Sequence, residues 1–99
     1  MKQVTMRRYV LKITQLALEL THAGEAQVWV EFSGHVNSFD MSISETGEDQ
    51  ELAHFECYLN NEYLITRNDP ETTLKTSLET LEKIRKEGID FLVKAMQQA

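Results

Sequence analysis

Ninety-nine residues, 41% apolar and 26% charged with four glycines and one proline, have the make-up of one globular domain and not of a low-complexity or disordered chain. A lone cysteine, Cys57, excludes an internal disulfide framework and a cysteine-rich zinc site, and fits a reducing compartment. The formal net charge of −6 runs against direct nucleic-acid binding, which needs a positive footprint.

The charge is unevenly laid out. Residues 25–71 hold eleven acids against Arg67 alone, a net of −10, while residues 1–24 carry +3 and residues 72–99 carry +1. The bases at the start, Lys2, Arg7, Arg8 and Lys12, read as an exposed helix face and not as a nucleic-acid site. No continuous apolar run opens the chain, and none approaches the roughly 18 residues of a membrane span. A soluble cytoplasmic protein without membrane attachment is expected.

Apolar residues at Met6, Tyr9, Val10, Ile13, Leu16, Ala17 and Leu20 recur in steps of three and four, which predicts a helix with Thr5 as its N-cap and Gly24 as its stop. Leu11 and Leu18 lie off the stripe and widen it, so part of this helix is expected to be buried on two sides. From Ala26 the period falls to two: Val28, Val30 and Phe32 share one face of a strand, with Gln27, Trp29 and Glu31 on the other.

After Ser33-Gly34-His35, a bend with His35 bonded to backbone, a second strand spans 36–44. Phe39, Met41 and Ile43 point inward; Ser38, Asp40, Ser42 and Ser44 point outward. Residues 45–49 form a turn by composition. A third strand over 52–59 sets Ala53, Phe55, Cys57 and Leu59 against His54, Glu56 and Tyr58. Phe55→Ala is therefore expected to cost about 3–5 kcal/mol as a core truncation. Asn60-Asn61 suits a hairpin turn into a short fourth strand over 62–66.

Asn68-Asp69-Pro70-Glu71 combines a capping acid, a proline at the first helical position and an acid at the positive helix end, so a helix starts at Pro70. Leu74, Leu78, Leu81 and Ile84 form its inner stripe. Through Gly88 a continuous or slightly kinked helix is favoured over a break with Asp90 as a new cap. The fold class is thus α+β: a two-layer domain over residues 1–99, with an N-terminal helix, an antiparallel meander of three to four strands and a C-terminal helix, both helices on one sheet face.

The other sheet face is left over. Trp29, Glu31, Asp40, His54, Glu56 and Tyr58 gather there, an aromatic and acidic grouping suited to a protein partner or to self-association. The plainer alternative is cross-strand pairing that stabilises a solvated sheet. His54 and Cys57, three apart on a strand, point to opposite faces and cannot chelate one ion together. His54, Glu56 and Asp40 could still approach one another. Cys57 reads as a small core residue. With no nucleophile elbow, phosphate-binding loop or dinucleotide glycine pattern in the sequence, neither catalysis nor a cofactor is expected.

The run Val28-Trp29-Val30-Glu31-Phe32-Ser33-Gly34-His35-Val36-Asn37-Ser38-Phe39 resembles the first hairpin of small accessory proteins, of uncharacterised activity, encoded in bacteriophages and prophages. That resemblance implies a non-enzymatic protein, active in the host cytoplasm, that binds a host or phage protein; it carries over no site residue. The expected function is accordingly a protein-interaction domain acting through its acidic aromatic sheet face or by homodimerisation through it. The alternative is an acidic mimic of nucleic acid that inhibits a nucleic-acid-binding protein. A third reading is a small enzyme or metal protein using His54, Glu56 and Asp40.

Overall fold

The computed structural model describes residues 3–34, 38–59 and 69–98. Three helices and three strands follow in the order α1 (Gln3–His22), β1 (Gln27–Ser33), β2 (Ser38–Ser44), β3 (Glu51–Tyr58), α2 (Pro70–Glu87) and α3 (Asp90–Gln98). The start of the second strand at Val36, the His35 bend, the Asn60-Asn61 turn and the fourth strand over 62–66 lie outside the described residues.

β1, β2 and β3 form an antiparallel meander with β2 in the middle. Val28, Val30 and Phe32 pair with Ile43, Met41 and Phe39, which pair in turn with Ala53, Phe55 and Cys57. Because side chains alternate along a strand, these nine share one face. The three central ones have no exposed surface. Ile13 and Leu20 of α1 and Leu74, Leu81 and Ile84 of α2 join them in one buried cluster, so the helical layer covers this face. Phe55, on an outer strand of the three described, is only half-buried, which corrects its expected place in the deep core.

The helix ends follow from local chemistry. Gly24 adopts φ +75°, and α1 closes with Glu25 N–H donating to the Leu20 carbonyl at 3.0 Å and Gly24 N–H to that of Thr21 at 3.2 Å, a Schellman stop. At the other end the helix is already under way at Gln3, so Thr5 lies within its first turn and does not cap it. Leu11 and Leu18 are 69% and 68% exposed. They correct the expected two-sided burial: at about 100° per residue both stand across the helix axis from the buried stripe.

Asp69 caps α2, accepting from Thr72 N–H at 2.8 Å and Thr72 Oγ1 at 2.9 Å, and these bonds hold its carboxyl below the ordinary range. At the far end the helix breaks, against the expected continuity. Gly88 takes φ 85° and ψ 174°, a region essentially restricted to glycine, and its N–H donates to the Ile84 carbonyl at 2.7 Å. α3 then restarts from Ile89, whose carbonyl accepts from Leu92, so Asp90 sits inside the first turn and is not its cap. In one straight helix Ile89 and Phe91 would stand about 160° apart around the axis. The break lets both pack against the core cluster, with Lys83 Nζ 4.4 Å above the Phe91 ring.

Burial orders the expected cost of core truncations. Phe39→Ala, which empties a fully enclosed site, should lower unfolding free energy by about 3–5 kcal/mol, and Phe55→Ala by clearly less. Urea unfolding of the two variants measures the difference.

Candidate functional site

The face opposite the helices is built from the alternate residues of the same strands. Their cross-strand rows are Trp29–Ser42–His54, Glu31–Asp40–Glu56 and Ser33–Ser38–Tyr58. All six side chains expected at the site, Trp29, Glu31, Asp40, His54, Glu56 and Tyr58, therefore stand on one face. Trp29 is 54% exposed, a large apolar surface left in water. Asp40, His54 and Glu56 are drawn into contact across β2 and β3. Trp29 stands two strands away from His54, and Tyr58 lies at the end of the sheet opposite Ser38.

His54 is the hub. Its Nε2 lies 2.9 Å from Asp40 Oδ2 and 3.8 Å from Glu56 Oε2, and its Nδ1 lies 2.9 Å from Glu51 Oε1. Both ring nitrogens can donate only when the imidazole is protonated. The hydrogen bond that Asp40 accepts from the protonated ring, opposed by partial burial and reinforced by the charges of Asp40 and Glu51, raises its pKa above the ordinary 6.5. When protonated, His54 places a positive charge where Glu31, Asp40 and Glu56 stand abreast on neighbouring strands, and like charges directly opposite destabilise a sheet.

Glu51 is the member that sequence reasoning missed. Three residues before His54, strict alternation would send it to the helical side. Ile43 pairs with Ala53 while Ser44 pairs with Glu51, so Leu52 is an extra residue in β3 and the register shifts there. That bulge turns Glu51 onto the open face, where it also accepts from Ser42 Oγ at 3.2 Å. No residue in the turn announces the bulge; a charged residue at the mouth of a strand is the sole signal.

Asp40, His54 and Glu56 each bring one donor atom within 4.8 Å of the others. A divalent ion at this point would need His54 Nε2 deprotonated, in competition with the proton that the nearby carboxylates favour. Cys57 points into the core, away from His54, and burial, aided by the charge of Asp69, pushes its thiol up to about 11, so it is protonated at neutral pH. Among the described residues no helix is long and apolar enough to cross a membrane.

No protein-family model matches the chain, and no curated protein or solved structure matches it significantly. The site is therefore read from its own geometry.

A raised His54 pKa ties stability to pH. Because the folded form binds this proton more tightly than the unfolded chain, the stabilisation is complete below about pH 6.5 and fades as pH rises through the folded value. An NMR titration of the His54 ring should give a midpoint above 6.5. Asp40→Asn should lower that midpoint more than Glu51→Gln, because the Asp40 hydrogen bond is the largest cause of the shift.

Proposed function

We propose that this chain is a non-enzymatic protein-interaction domain whose uncovered sheet face receives a basic surface of a partner protein. The observation that carries this reading is the row Glu31–Asp40–Glu56, three carboxylates side by side on the sheet face that none of the described helices covers. Carboxylates directly opposite one another on adjacent strands repel. A guanidinium or ammonium group laid across the row forms charge-assisted hydrogen bonds with them, so the sign of the surface favours a basic partner.

Trp29 supplies the apolar part of the same surface. Tryptophan is enriched among the residues that dominate interface energies, and its ring face also attracts arginine. The same charges argue for a different partner and against self-pairing through this face, because a second copy would lay another row of carboxylates against the first. An accessory role in binding a host or phage protein, which the hairpin resemblance implies, is of this kind.

Trp29 is the single tryptophan, so its emission reports directly from this face. Titration with a peptide of alternating arginine and leucine should shift that emission saturably. Asp40→Asn and Glu56→Gln should each weaken binding several-fold, and calorimetry should find the peptide bound about tenfold more weakly by Trp29→Ala. Binding that is insensitive to Trp29→Ala and collapses with salt would point instead to charge mimicry of nucleic acid. No saturable change would reduce the face to a solvated sheet.

A further inference from the structure

Among the described residues β1 has a neighbouring strand on one side only, β2. Apolar surface is left in water on both faces of this outer strand. Trp29 on the open face is 54% exposed and Phe32 on the helical face 50%. Val28 and Val30 are half-buried, whereas Ile43, Met41 and Phe39, which pair with Val28, Val30 and Phe32, are fully enclosed. Beside Phe32 a groove lined by Met6, Val10 and Leu11 continues the apolar surface onto α1, where Leu11 is 69% exposed.

The backbone of β1 is directed to the same side. Val28 N–H donates to Thr21 Oγ1 at 3.1 Å, away from β2. In an antiparallel ladder, residues that bond to the neighbouring strand alternate with residues whose N–H and C=O point outward. Val30 and Phe32 therefore aim their main-chain groups at the outer side, while Trp29 and Glu31 bond to β2. At Val28 a threonine side chain already stands where a further strand would bond.

Resting on the basic-partner reading above, we propose that the partner joins the sheet as an extended segment paired antiparallel to the outer side of β1. Side chains of an added strand fall alternately on the two faces. Those on the open face stand abreast of Trp29 and Glu31. An arginine there extends the row Glu31–Asp40–Glu56 with the opposite sign, and a second lies against the indole ring. Those on the helical face lie beside Val30 and Phe32, where leucines cover the aromatic ring and reach the groove at Leu11. The segment is thus one of alternating basic and apolar residues. Its direction follows the existing pairs, which are all antiparallel, the slightly more stable arrangement per residue.

N-methylation of the alternating arginine–leucine peptide tests the pairing with the protein unchanged. Residues opposite each other share a face, so the leucine amides are the ones that bond to Val30 and Phe32, and the arginine amides point away. Methyl groups on the leucine nitrogens should weaken binding about tenfold, because they remove the donors and leave the β1 carbonyls without them. The same groups on the arginine nitrogens should leave affinity within about twofold. Hydrogen exchange followed by NMR should slow about tenfold at the Val30 and Phe32 amides when the unmethylated peptide saturates, and change little at Trp29 and Glu31.

Equal or reversed losses from the two methylated peptides would overturn the antiparallel pairing. Unchanged exchange at Val30 and Phe32 while the Trp29 emission still shifts would overturn it too, and either result leaves the basic-partner reading standing. No binding of the unmethylated peptide would overturn both.

Discussion

Phe39, Met41 and Ile43 have no exposed surface, and all three belong to the middle strand. A central strand has no free edge, so its inward residues can be enclosed only by its neighbours and by a layer laid over one side. That requirement places α1 and α2. Their Ile13, Leu20, Leu74, Leu81 and Ile84 close over these residues. Everything that alternates with them, Ser38, Asp40 and Ser42 included, is turned to the opposite side. The open face is therefore a consequence of how the core is closed.

Electrostatics on that face are in tension with stability. Glu31, Asp40 and Glu56 occupy adjacent strands at the same level, and Glu51 is added by the register shift at Leu52. His54, 2.9 Å from both Asp40 Oδ2 and Glu51 Oε1, draws the cluster together. Local conflict of this kind is tolerated in natural proteins mainly where function requires it. In the core beneath, the buried Ser77 donates to the Thr73 carbonyl at 2.7 Å, and Cys57 stays a neutral thiol.

The strand phases, the Asp69–Pro70 helix start and the Gly24 stop were all legible in the sequence, because each rests on a local rule: period two, a side-chain cap, a positive φ. The gathering of Asp40, His54 and Glu56 followed from the same alternation once the strands were paired. What escaped was set by tertiary context. The apolar spacing of α2 continues in phase across Gly88 to Leu92, and a glycine inside a helix costs only about 1 kcal/mol, so a continuous or slightly kinked helix is what the sequence predicts. The break is decided by the packing of Ile89 and Phe91, which local pattern does not encode. Glu51 escaped because a bulge reverses parity without a residue of its own to mark it. Leu11 and Leu18 are exposed for another reason: a hydrophobic side chain need not be buried, and only their angular position on the helix decides it.

Among the described residues β1 is an edge strand of seven residues, Gln27–Ser33, rich in valine and aromatic side chains, and Glu31 is its one charge. Edges of this composition are templates for further strands, and an isolated charge is a common guard against pairing between molecules. Glu31 thus serves the chain twice. In the folded domain it completes the acidic row; among many copies it keeps an exposed, strand-prone border from growing into a continuous sheet. A charge that weakens the sheet it sits on also protects the solubility of the molecule.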